Sequence, residues 1–219
     1  MKQGNTVLLA IFIIAMIFSF GVNTSCTQVT DKDGNTYKTV TIGTQEWMAE
    51  NLNVEHYRNG DVIPQVQDEI KWSELTTGAW CYYENDSENG KIYGKLYNWY
   101  AVNDSRGLAP EGWHIPTDEE WHTLVDTVEE LAGGKLKATT LWESPNTGAT
   151  NESGFSAFPG GFRKFDGDFY MIGEDGSFWS ASEFNLTNAW VRSLSYEYAA
   201  LFRNDSYKRS GKSVRCVRD

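Results

Sequence analysis

From Phe155 to Asp219 the chain is a series of strand-like runs divided by turn residues, and this constrains the fold more than any other feature. Asp166-Gly167 separates "GFRKF" from "DFYMI", and Asp175-Gly176 precedes "SFWSAS". Asp-Gly pairs favour the tight turns of β-hairpins, whose central residues need positive φ. "AWVRSL", "YAALFRN" and "KSVRCVR" supply three further strands. Strands joined by short turns pair antiparallel, so the second half of the molecule is expected to be antiparallel sheet.

The helical signals come earlier. In "PEGWHIPTDEEWHTLVD", Thr117 stands three residues before Glu120 and just ahead of an apolar-periodic run, the pattern of a capping box. Asp118 and Glu119 fill the first turn, where the helix dipole favours negative charge. Trp121, Leu124, Val125, Val128, Leu131 and Ala132 then make one apolar stripe, which Gly133-Gly134 is expected to stop. "QDEIKWSEL" predicts a short helix burying Ile70 and Leu75 with Trp72 at its flank, and "YGKLYNWYAV" another, with Leu96, Trp99 and Tyr100 on one face. "TYKTVTIG" alternates as a half-buried strand after an Asp33-Gly34 turn, and "AWCYY" reads as another strand. Helices early and antiparallel strands late make one α+β domain over 36–219.

The first 25 residues differ. After Lys2, Val7–Phe20 is an apolar run of fourteen, shorter than a membrane span and matched to the core of a signal peptide. "GVNTSC" follows, a small residue before Cys26 that is similar to the lipobox of bacterial lipoproteins, in which that cysteine carries the lipid. Ordinary cleavage that leaves Cys26 free is the other reading. The expected organisation is a leader at 1–25, a short tether at 26–35 and the domain. The chain has three cysteines, so with Cys26 lipidated Cys81 and Cys216 remain as one potential disulfide. In the chain-entropy account such a bond would contribute about 4 kcal/mol.

Charge excludes some partners. The net charge is −11 at pH 7, becoming −12 without the leader's Lys2, and no basic stripe occurs. Binding to nucleic acid or adsorption to an anionic lipid surface needs clustered Lys and Arg, so neither is expected. Metal and catalytic signals are weak. His122, Asp126 and Glu129 fall at i, i+4 and i+7, but no second His completes a zinc pattern, and a solvated helix face explains them. An EF-hand starting at Asp31 would need Gly and Glu where Thr36 and Ile42 stand. Ser156 in "SGFSAFPGG" lacks the strand–elbow–helix setting of a nucleophile. No catalytic residue, metal site or cofactor is assigned.

"WMAENL", "YGKLYNWYAV", "RGLAPEGWHIPTDEEW", "SPNTGATNESGFSAFPGG" and "SVRCVRD" occur in this order and together resemble the Fibrobacter succinogenes major paralogous domain family, over roughly Gly34 to Asp219. The resemblance implies an exported protein, lipid-anchored in the cell envelope at the outer membrane, periplasmic or surface-exposed. It implies no particular chemistry. More distantly, "GWHIPTDEEW" is similar to a helix start of the formylglycine-generating and sulfatase-modifying enzymes, and "SVRCVRD" to their closing strand. That likeness implies a C-type-lectin-like fold, a twisted antiparallel sheet with two main helices and long irregular loops. It also implies that a terminal strand pairs with an early one, which would bring Cys216 near Cys81.

The function expected from this is a non-enzymatic binding module for a surface glycan or protein. Its ligand residues would be Trp179, Glu183, Asn185, Asn188 and Trp190 in "FWSASEFNLTNAW", since aromatic faces stack on sugars and Asn and Glu direct hydrogen bonds. Both tryptophans lie in strand-like runs, where core packing competes with that role. The "EPN", "QPD" and "WND" motifs of calcium-dependent lectins are absent, so that mechanism is not expected. The alternatives are a copper-dependent oxidase-like relative using Cys81 and Cys216, and a structural surface protein with no small ligand.

Overall fold

A computed structural model describes residues 28–219; the leader and the proposed lipid site Cys26 lie outside the described residues. The chain starts with a hairpin of β1 (Gln28–Thr30) and β2 (Thr36–Ile42). Its turn is organised by Asp31, whose carboxylate accepts from the Asp33 and Asn35 amides, from Asn35 Nδ2 and from the Tyr37 hydroxyl. Gly34 takes the positive φ (86°) that the turn requires. Residues 28–30, expected to be part of the tether, are therefore a strand of the domain.

β3 (Gln45–Met48) follows, then α1 (Glu69–Ser73), β4 (Trp80–Cys81), α2 (Ser87–Tyr93), β5 (Leu96–Tyr97), α3 (Trp99–Val102), β6 (Trp113–His114), α4 (Asp118–Val128) and α5 (Ala132–Leu136). The rest is sheet: β7 (Gly160–Arg163), β8 (Phe169–Ile172), β9 (Asp175–Glu183), β10 (Asn188–Ser195), β11 (Leu201–Tyr207) and β12 (Val217–Arg218). One five-stranded sheet runs β1-β2-β3-β12-β6, a second β11-β10-β9-β7-β8, and β4 with β5 forms a small ribbon. All pairings between these strands are antiparallel except β7 with β9. The molecule is a mixed α/β domain of curled, mostly antiparallel sheets, and the terminal strand β12 closes against the early β3, as the likeness implied.

Two main helices were expected, but among the described residues only α4, with eleven residues, exceeds two turns. Its capping box is formed: Thr117 Oγ1 accepts from the Glu120 amide, and Glu120 Oε2 accepts from the Thr117 amide at 2.8 Å. The helix ends earlier than the glycine pair, at Glu129, which turns to φ 62°. Gly133 and Gly134 lie inside α5, where the Ala200 and Gly148 backbones leave no room for a Cβ. In α1 the buried side is Trp72, while Ile70 is 69% exposed, the reverse of the expected face. "YGKLYNWYAV" divides into the tail of α2, β5 and α3, because the Asn98 side chain accepts from the Ala101 amide and starts a new turn. Asp175-Gly176 lies within β9 rather than at a turn; the β8–β9 turn uses the positive φ of Gly173 instead.

β9 divides the interior. Neighbouring residues of a strand point to opposite faces, and Phe178 enters one cluster with Trp47, Trp121, Phe155 and Leu136 while Trp179 enters another with Tyr97, Trp99, Trp113 and Cys216. The long loops are held by buried cations. Arg215, fully buried, donates to the Met48, Phe155 and Ser156 carbonyls and to Asn51 Oδ1, and its guanidinium lies 4.6 Å from the Phe155 ring centre. Arg163 likewise donates to the Val66, Gln67 and Gly167 carbonyls while stacking on Trp72. Lys137 Nζ binds the Ser195 and Tyr198 carbonyls. Irregular backbone leaves carbonyls outside any ladder, and each would cost about 1–3 kcal/mol if buried without a donor.

Candidate functional site

The expected ligand residues surround the β9–β10 hairpin, but the structure assigns them different tasks. Trp179 is fully buried, and its Nε1 donates to the Tyr97 carbonyl at 2.7 Å, so it has no face for a ligand. This corrects the sequence expectation: at its position the strand faces the interior. The other four residues gather at the hairpin tip, 183–190.

Asn185 makes the turn. Its Oδ1 accepts from the Thr187 and Asn188 amides, both at 2.9 Å, and from the Thr187 hydroxyl. An Asn side chain that replaces backbone in this way fixes a turn without a regular ladder. Lys208 closes the loop from outside the hairpin. Its amide donates to the Thr187 carbonyl, and its Nζ reaches the Leu186 carbonyl at 3.0 Å and Glu183 Oε1 at 2.9 Å. The same ammonium lies 4.7 Å from the Trp99 ring centre. Asn188 Nδ2 donates to Asp205 on β11, and its Oδ1 accepts from Thr187. Glu183, Asn185 and Asn188 thus direct their polar groups into the loop.

Trp190 is half-buried and covered on one side. The Arg203 guanidinium lies 3.3 Å from its ring centre, and Phe184 meets it edge-on with centroids 4.6 Å apart. Arg203 is held by Asp118, the first residue of α4, which also binds the buried Arg192 at 2.6 Å. Burial alone would raise the Asp118 pKa, but the two guanidinium groups outweigh it and hold the carboxyl below its usual range. Apolar side chains remain outside: Leu186 is 91% exposed and Phe184 46%. The tip is a fixed loop that presents apolar side chains to solvent.

The thiols do not form the expected disulfide. Cys81 and Cys216 are both free and buried. The reason lies in the β4–β5 ribbon: Trp80 faces the cluster that contains Cys216, so Cys81, the next residue, faces the opposite side among Trp72, Ala79, Tyr83 and Leu96. Burial pushes the Cys81 thiol up to about 12 and the Cys216 thiol higher still. Copper binding needs thiolates, and this setting opposes them.

His122 and Asp126 are exposed on α4, and the turn at Glu129 takes the second carboxylate of the set off their helical row. No group of three metal-ligating side chains occurs among the described residues. His114, by contrast, makes a contact that its position in the sequence did not indicate. Its Nε2 lies 2.7 Å from Glu120 of the capping box and its Nδ1 2.7 Å from the Asp219 side chain, tying the C-terminus to the helix start. Burial would lower the His114 pKa, but the Asp219 and Glu120 hydrogen bonds outweigh it and raise it. Asp33 and His56 form a second such pair at 2.5 Å.

Among the described residues no helix is long and apolar enough to cross a membrane. Comparison with curated proteins gave no match, and neither did comparison with solved structures. A family model does match, over residues 40–218, nearly all of the described chain. The span includes the capping box, the hairpin tip and the buried Arg215, and on it the chain belongs to the Fibrobacter succinogenes major domain family.

Proposed function

We propose that this is an exported envelope protein, lipid-anchored through Cys26, with a C-type-lectin-like arrangement of its elements. It acts as a non-enzymatic binding module, and the β9–β10 tip grips a protein partner. The observation that carries this is Leu186: a large aliphatic side chain 91% exposed on a turn that Asn185 and Lys208 fix in place. Exposed apolar clusters mark contact surfaces, and a loop ordered beforehand loses little entropy on binding. A sugar platform at the same place is less well supported, because Arg203 covers Trp190 and the amides are engaged within the loop.

A glycan reading would use a different part of the surface, a groove of about 470 Å³ lined by Thr36, Glu50, Asn53, Lys91 and Leu141 among others. The two readings separate in one experiment. Envelope fractions would be treated with protease or with periodate, and retention of the purified chain on each measured for the unmodified protein, Leu186→Asp and Glu50→Gln. A protein partner at the tip predicts binding that protease destroys, periodate spares and Leu186→Asp abolishes. Binding destroyed by periodate and weakened by Glu50→Gln would replace the tip with the groove.

A further inference from the structure

The two edges of the second sheet are built differently. β8 is four residues long and contains Met171 at φ 63°, a kink that interrupts the row of backbone groups. β11 has seven residues, no proline, and pairs with β10 from Asn188↔Tyr207 to Leu194↔Leu201 without a register shift. Among the described residues no strand pairs with its outer side. Phe202, Arg203, Asn204 and Asp205 are all exposed. A long, regular, uncovered edge is a template for another strand, which proteins usually prevent.

We propose that β11 pairs antiparallel with β11 of a second copy of this chain, about a two-fold axis at Asn204. The order Leu-Phe-Arg-Asn-Asp-Ser-Tyr selects both partner and register. Centred on Asn204, the pairing sets Arg203 opposite Asp205 of the second copy, twice, with Leu201 opposite Tyr207 and Phe202 opposite Ser206. Opposite charges and aliphatic–aromatic pairs directly across strands are stabilising. Moving the axis to Arg203 or to Asp205 places two like charges face to face, which is destabilising. The charges on this edge therefore exclude the neighbouring registers and favour one. Such an interface uses the same patch on both copies, as two-fold symmetry requires.

The side chains have capacity for these contacts. The Arg203 side chain is 47% exposed although it binds Asp118, and a guanidinium carries five donors. Asp205 accepts from Asn188 through Oδ2, which leaves Oδ1 for the guanidinium of the second copy. A shared membrane anchor would raise the local concentration of copies and favour the pairing.

The test uses the full chain in membranes with Asn204→Cys. Directly opposed residues of antiparallel strands have Cα atoms about 4.5–5.5 Å apart, within disulfide reach. Mild oxidation is expected to give severalfold more disulfide-linked dimer than the unmodified chain, whose free thiols Cys81 and Cys216 are both buried, or than Ser105→Cys. Added to Asn204→Cys, Asp205→Arg or Arg203→Asp should each reduce the dimer to background, and the two together should restore it. Because Arg203 also holds Trp190, thermal unfolding of each variant checks that the fold is retained, and the rescue is read in variants that pass. Dimer at background for Asn204→Cys, or charge reversals that leave the dimer unchanged, would overturn the proposal.

Discussion

Two regions of this domain order irregular backbone in the same way and turn opposite faces to water. Under the loops at 48–51 and 155–156, Arg215 is fully buried and fills four acceptors, so polar and apolar groups alike are enclosed. At the β9–β10 tip, Asn185 and Lys208 do comparable work for the backbone, but Leu186 and Phe184 are left outside. Satisfying carbonyls explains why a loop is fixed. It does not explain why a fixed loop carries an exposed leucine. The first region is explained by stability alone; the second is where the proposed partner would bind.

The comparison breaks most visibly at Arg215. Arg215→Met keeps most of the volume but leaves four acceptors, three of them buried, without a donor, so unfolding free energy should fall by about 4 kcal/mol, read by denaturant titration. A change below about 1 kcal/mol would show that water replaces the guanidinium. Asn185→Ala should cost less, about 1 kcal/mol, because the tip is exposed and only one turn is lost. Amide exchange at Thr187 and Asn188 should accelerate while the core stays protected.

His114 sharpens the comparison through pH. Its folded pKa is raised, so its contribution to stability is complete below the unfolded value near 6.5 and is lost as pH rises through the folded value. Glu120 runs the other way: burial would raise it, but the Thr117 and His114 hydrogen bonds outweigh that and lower it, so its contribution is lost as pH falls through the folded value. The tie between Asp219 and α4 is therefore strongest in mildly acidic solution, between the two. Both groups are about one-third exposed, so the effect is expected to be about 0.5 kcal/mol. It should appear as a small fall in Tm from about pH 6 to about pH 8 that His114→Gln removes. The smallest stability effect belongs to Leu186→Asp, within about 0.5 kcal/mol, since that side chain touches little.

Local patterns were legible in the sequence; long-range contacts were not. The Thr117–Glu120 capping box, the Asp33-Gly34 and Asp166-Gly167 turns and strands β7 to β10 are set by neighbours within a few residues and formed where expected, whereas β11 starts only at Leu201 and of "KSVRCVR" only Val217–Arg218 is strand. The thiols show the limit. Counting cysteines paired Cys81 with Cys216, but the pleat of β4 directs them to different clusters. Gly133-Gly134 reads as a helix stop until Ala200 is seen against it. Trp179 and Trp190 are eleven residues apart in similar runs, and only the sheet shows which is core. Arg215 and Lys208 were missed for the same reason, because each binds carbonyls far from it in the sequence. A basic residue inside an otherwise apolar closing strand, as in "SVRCVRD", was the available signal for the first.

The most direct test of the tip as a contact surface is photo-crosslinking in the intact envelope. A photoreactive side chain would replace Leu186 in one chain and Ser105, also exposed, in another. The account predicts a discrete protein adduct from position 186 that is absent from position 105 and disappears when Phe184→Ser is added. Equal, diffuse labelling from both positions would contradict it.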